Sequence, residues 1–136
     1  MSDTGRFQHV PVALAGRSYG IVIGRGVLAA AGERIAALAP GARVAVVTDE
    51  TVAGLHLARL MDSLAAAGLA GRSIVLKPGE ATKNWSDLGR VVDALLADRL
   101  ERGDIVIAFG GGVIGDLTGF AAAIVRRGMR YVQVPT

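Results

Sequence analysis

Asp104-Ile105-Val106-Ile107-Ala108-Phe109-Gly110-Gly111-Gly112-Val113-Ile114-Gly115-Asp116-Leu117 is the stretch that decides the fold. Its first six residues form an apolar run of strand type. Three glycines interrupt it, and a stripe at helical spacing follows: Val113, Leu117, Phe120 and Ile124. Strand, glycine turn and helix is the layout that receives phosphates. Missing Cβ atoms let an anion approach the backbone, and the helix start offers N–H groups with no intrahelical partner and partial positive charge. Gly110-x-Gly112-x-x-Gly115 matches the spacing of a dinucleotide fingerprint.

Outward from this stretch the same alternation repeats. Arg43–Val47 and Arg72–Leu76 read as strands. Leu57, Leu60, Met61 and Leu64 mark one helix, and Leu88, Val91, Val92, Leu95 and Leu96 mark another. Arg130–Val134 reads as a last strand. Nearer the start, His9–Leu14 and Tyr19–Ile23 flank the turn Ala15–Ser18 and predict a hairpin, with Pro11 confining its strand to an edge. Leu28, Gly32, Ile35 and Leu38 give a further helical period, broken at Pro40-Gly41. Near-continuous apolar strands alternating with amphipathic helices predict an α/β fold: a mostly parallel sheet with helices on both faces, preceded by an N-terminal β-hairpin.

The chain has 136 residues, enough for one domain with a sizeable core. Hydrophobic residues make up 51% and charged residues 20%, as a globular domain requires. No apolar run approaches membrane-spanning length, so a membrane partner is not expected. Met1–Arg6 lacks the basic and apolar regions of a secretory leader, and cysteine is absent. Both fit a cytoplasmic protein. The net charge is +3, yet there are only one Trp, two Tyr and three Phe. A small anionic ligand therefore suits this composition better than nucleic acid. His9 and His56 stand in no metal-binding spacing, and neither a Gly-x-x-x-x-Gly-Lys phosphate loop nor a nucleophile elbow occurs.

Three loops follow strands and are expected to open on one edge of the sheet: Thr48–Glu50, Lys77–Lys83 and Gly110–Asp116. Asp49 suits either of two roles, accepting hydrogen bonds from a ribose or capping the next helix. It lies far ahead of the glycines, whereas the acid of an ordinary dinucleotide unit follows them. Glu80 and Lys83 suit a binding loop or a solvated pair. Asp116, expected in the first turn of the glycine helix, would repel a bound pyrophosphate and so must face hydroxyls, an amide or a cation. Arg126, Arg127 and Arg130, expected near the end of that helix, suit either its dipole or an anion.

Pro78-Gly79-Glu80-Ala81-Thr82-Lys83-Asn84-Trp85, Gly110–Ala122 and Arg127-Gly128-Met129-Arg130-Tyr131-Val132-Gln133-Val134-Pro135-Thr136 together resemble the 3-dehydroquinate synthase family, in order and in approximate spacing. The resemblance implies a Rossmann-like NAD-binding domain across residues 1–136. In that family a second, mostly helical domain carries a divalent metal, zinc or cobalt, and most substrate contacts. The metal ligands of that domain have no counterpart here, and these residues alone are expected to be inactive. It further implies cofactor contacts at Asp49, Glu80, Lys83, Gly111, Gly112, Val113, Ile114, Gly115, Asp116 and Thr136. Arg127 would contact an anionic sugar-phosphate substrate across a homodimer. The reaction implied is conversion of 3-deoxy-D-arabino-heptulosonate 7-phosphate to 3-dehydroquinate and phosphate, in aromatic amino-acid biosynthesis. A non-catalytic nucleotide-binding module and a related cyclase or polyol dehydrogenase are the alternatives.

Overall fold

The computed structural model describes residues 6–136; Met1–Gly5, part of the segment inspected for a leader, lie outside the described residues. The hairpin forms as expected. Strands β1 (Gln8–Val12) and β2 (Tyr19–Ile23) pair antiparallel with Pro11 opposite Gly20. Its turn is closed by Ser18, whose Oγ accepts from Leu14 N at 3.1 Å and donates to Leu14 O at 2.9 Å.

Four further strands build one parallel sheet: β3 (Arg43–Asp49), β4 (Ala70–Leu76), β5 (Ile105–Gly110) and β6 (Arg130–Pro135). Their order is β4-β3-β5-β6. The chain thus steps from β3 outward to β4, returns to the other side of β3 as β5, and continues outward to β6. The order reverses between β3 and β5, the place where open α/β sheets present a crevice at their carboxyl ends.

Helices α1 (Val27–Leu38) and α3 (Ala58–Ala66) cover one face, around Ile35, Val46, Leu60, Leu64, Ile107 and Phe109. Helices α4 (Trp85–Ala97) and α5 (Gly112–Ile124) cover the other, around Val47, Leu76, Val91, Leu95, Ala108 and Ala121. All six residues of β5 are buried, the pattern of a central strand covered on both faces.

Two details differ from the expectation. The helix after β3 begins at once, with the turn α2 (Glu50–Val52), and reaches α3 through a π-helical turn at Ala53–Leu57. In α5 the buried residues are Ile114, Leu117, Thr118, Ala121 and Ala122, whereas Phe120 and Ile124 are half-exposed. Thr118, Ala121 and Ala122 join Ile114 and Leu117 on the buried face, so small residues take the places expected of Phe120 and Ile124. Among the described residues no helix is long and apolar enough to cross a membrane.

Candidate functional site at the carboxyl edge of the sheet

Strand register lines up the ends of the strands. Asp49 pairs with Leu76 of β4, its neighbour Thr48 with Phe109 of β5, and Gly110 with Pro135 of β6. The three expected loops therefore do open on one edge. The sequence distance between Asp49 and the glycines is explained by strand order, because β3 and β5 are neighbours although β4 intervenes in the chain.

The fingerprint glycines divide into two that the packing constrains and one that it leaves open. A Cβ on Gly110 would lie 3.1 Å from the Ile114 side chain, which folds back over the turn. A Cβ on Gly115 would lie 3.0 Å from Gln133 Nε2 on β6. At Gly111 and Gly112 a Cβ would meet nothing within 4 Å. Those two glycines open onto a groove of about 270 Å³, which Asp116, Gln133 and Thr136 also line. Gly111 caps α5 with no side-chain hydrogen bond, so the first N–H groups of a 13-residue helix are left without a side-chain acceptor. This is an uncapped helix start beside a cavity, an arrangement suited to an anion. Val113 is half-buried and Ile114 is in the core, so Ile114 offers the groove only its backbone. Thr136 N donates to Gly110 O at 3.3 Å, fixing the last residue to the groove wall.

Asp116 is the fifth residue of α5, just past the first turn, which contains no acidic residue. Its partner is a cation, with Lys83 Nζ 2.7 Å from Asp116 Oδ2. Glu80 Oε1 stands 3.6 Å from the same ammonium. Since β3 separates β4 from β5, the Lys83–Asp116 pair joins the loop after β4 to the helix after β5 across the end of β3. The Lys83 loop is itself held. Thr82 Oγ1 donates to Lys77 O at 2.5 Å, and Asn84 Oδ1 accepts from Asp87 N at 2.8 Å to cap α4. Thr82 was not anticipated from sequence; Asn84 was legible as a cap just before a helical period.

The Asp116 hydrogen bond, and then its charge, raises the pKa of Lys83 above its ordinary 10.5, with Glu80 adding to it. The shift is raised, so whatever stability the pair contributes is present below the unfolded-state value and is lost as pH rises through the folded one. Both side chains are well exposed, and this pair orders the loops more than it stabilises the fold. Asp116→Asn is expected to lower the Lys83 pKa toward 10.5. An NMR titration of the Lys83 side chain checks this, and an unmoved midpoint would refute the pairing.

Asp49 adopts the capping role. Its Oδ1 accepts from Val52 N at 2.9 Å, and the residue is half-buried. One carboxylate oxygen is used this way, and the cap does not preclude a hydroxyl at the other. Asp49→Ala is expected to cost about 1 kcal/mol of stability and Asp49→Asn close to nothing, since Asn caps equally well. Urea unfolding of both variants checks this, and equal losses would contradict it.

The arginines divide. Arg130 is not on the helix: it begins β6, and its Nη1 donates to Leu38 O at 2.9 Å, tying the sheet to the end of α1. Arg126 Nε donates to Leu100 O at 3.1 Å. Arg126 and Arg127 both have left-handed backbone, φ 52° and 60°, ahead of Gly128 at 110°. Arg127 is exposed. It lies at the far end of α5 from the glycines, about 20 Å away by helix rise, so the structure does not bring it to the groove. At the amino edge of the sheet a smaller cavity of about 160 Å³ is bordered by the Arg72–Asp98 ion pair. Leu100, which accepts from Arg126, also borders it, and the cavity lies at the opposite end of the sheet from the glycine groove.

Residues 73–136 match the family model described as 3-dehydroquinate synthase N-terminal. A 3-dehydroquinate synthase of Paracoccus denitrificans (strain Pd 1222) is 61% identical over 127 residues, 93% of this chain and 35% of that protein. Among solved structures, 2-epi-5-epi-valiolone synthase of Streptomyces hygroscopicus subsp. jinggangensis 5008, with NAD+ and Zn2+ bound, is 34% identical with a TM-score of 0.75. The match covers 91% of this chain and 34% of that one. A 2-deoxy-scyllo-inosose synthase complexed with carbaglucose-6-phosphate, NAD+ and Co2+ reaches a TM-score of 0.84 at 21% identity, over 95% of this chain and 35% of that one; it supports the Rossmann-like fold alone. The chain spans about a third of the length of the relatives it matches. By sequence the chain is similar to the N-terminal third of 3-dehydroquinate synthases, and by fold to part of a 2-epi-5-epi-valiolone synthase.

Proposed function

We propose that residues 1–136 form the NAD-binding domain of a 3-dehydroquinate synthase. In this reading the parent enzyme is a metal-dependent lyase that works in the cytoplasm, on the shikimate pathway. It would convert 3-deoxy-D-arabino-heptulosonate 7-phosphate to 3-dehydroquinate and phosphate. The observation that carries the reading is the open pair Gly111 and Gly112 at an uncapped helix start, beside the point where strand order reverses.

The residues present fit NAD. The first N–H groups of α5 would hold the pyrophosphate, with Gly111 and Gly112 allowing it to come close. Asp49, at the end of β3, would accept a ribose hydroxyl on its free oxygen while Oδ1 keeps its cap. Glu80, Lys83 and Asp116 would line the mouth, where the ammonium offsets the carboxylate that a pyrophosphate would otherwise meet. Thr136 would close the far wall. When bound, NAD supplies reversible hydride acceptance.

The residues present do not fit a metal centre: among those described, no three His, Cys, Asp or Glu are grouped to hold an ion. The proposed share of these 136 residues is cofactor binding. Arg127, exposed and remote from the groove, suits a contact made across a dimer to an anionic substrate.

A fluorescence titration of Trp85 tests the reading. Trp85 is 81% exposed, two residues from Lys83, and sits edge-on to Phe120 with ring centres 6.5 Å apart. Saturable quenching by NAD, weakened in Asp49→Asn although its cap persists, is the expected result. A folded chain that fails to respond to NAD by fluorescence and by calorimetry would refute it.

A further inference from the structure

The face of β6 that looks toward α5 carries Tyr131 and Gln133 at alternate positions. Tyr131 Oη donates to the carbonyl oxygen of Gly115 at 2.8 Å. Gln133 Nε2 stands 3.0 Å from where a Gly115 Cβ would be. The ring of Tyr131 lies 3.4 Å from the corresponding point on Gly119. Glycines at 115 and 119 thus present a flat helix face, and the tyrosine fills the space against it. Tyr131 is half-buried and packs on the apolar cluster between α4, α5 and the sheet.

We propose that Tyr131 is a positioning residue for the anion-binding end of α5. The inference rests on the reading of the groove as the pyrophosphate site. Its physical basis is the weakness of this helix start. Gly111, Gly112 and Gly115 carry the largest backbone entropy of any residue type, and no side chain caps them. Such a turn frays unless something outside the helix holds it. Ile114 holds it from the core side, folded over Gly110. Tyr131 holds it from the β6 side, at a carbonyl one turn after Gly111. When the turn frays, the N–H groups no longer converge on the groove, and apparent affinity falls with the fraction of molecules in the competent form.

Tyr131→Phe tests this, because it keeps the ring and removes only the hydroxyl. NAD affinity, measured by calorimetry, is expected to fall about fivefold, the scale of one neutral hydrogen bond. Amide hydrogen exchange supplies the readout that a general loss of stability would not reproduce. Gly115 N donates to Gly111 O at 3.0 Å, the first bond of the helix. Its exchange should quicken in Tyr131→Phe, while that of Ile107 in the central strand stays as in the parent chain. Equal NAD affinity in the two proteins overturns the inference, and so does an exchange increase shared by Gly115 and Ile107. If the parent chain binds no NAD, the reading of the groove fails separately. The exchange comparison then still decides whether Tyr131 holds the turn.

Discussion

Gly32→Ala is expected to destabilise the chain by about 3 kcal/mol and to lower its thermal midpoint by roughly 10 °C. A Cβ at this position would stand 1.9 Å from the carbonyl oxygen of Ser63, 2.4 Å from its carbonyl carbon and 2.9 Å from Leu64 N. All three are backbone atoms of α3, so no side chain can swing aside to make room. The helices must separate, and their separation breaks the clasp at the crossing, where Ser63 Oγ accepts from Gly32 N and donates to Ala29 O, both at 2.9 Å. It also loosens the packing of Ile35, Leu60 and Leu64, which are buried in the same cluster. Against this stands the better helix propensity of alanine, worth about 1 kcal/mol. Overlap with rigid backbone outweighs it. Urea unfolding measures the difference, and a variant as stable as the parent would show that α1 and α3 do not cross at Gly32.

This crossing shows what the sequence could and could not disclose. Gly32 falls on the helical period of Leu28, Ile35 and Leu38, so its place on a helix was legible, but contact with Ser63 depends on two segments meeting in space. The strands were legible because a sheet covered on both faces demands unbroken apolar runs, and β3 and β5 are such runs. The edge on which the loops converge followed from the alternation of strand and helix. The partner of Asp116 did not, because Lys83 reaches it across a strand that neither residue belongs to. The buried face of α5 was misjudged for a physical reason. In a helix rich in Ala and Gly the large side chains dominate any periodicity. Leu117 of the expected stripe is buried, but the rest of the buried face is Ile114 with the small residues Thr118, Ala121 and Ala122; Phe120 and Ile124 are left half-exposed. The choice between cap and ribose contact at Asp49 stayed open because both put a carboxylate oxygen at the same strand end. The geometry assigns one oxygen to the cap.

Gly112→Ala is expected to do the reverse of Gly32→Ala: to spare the fold and remove the proposed binding. Gly112 is the first residue of α5, and a Cβ there would meet no protein atom within 4 Å. Nothing in the protein has to move, and alanine is the better helix former, so stability is expected to hold or to rise by up to about 1 kcal/mol. The space the methyl group enters is the groove. There it would stand between the first N–H groups of α5 and the oxygens of a pyrophosphate. Hydrogen bonds to a charged group contribute about 1.5–3 kcal/mol each, so losing even one weakens NAD binding by roughly 30-fold. Calorimetric titration with NAD beside a thermal melt reads both effects on one sample. Weakened binding with an unchanged melt places the anion over Gly112. Undiminished affinity would mean that the ligand passes the glycine turn at a distance, and the proposed function would lose the observation on which it stands. A weakened ligand together with a lowered melt would mean that the open space at Gly112 is not open in solution.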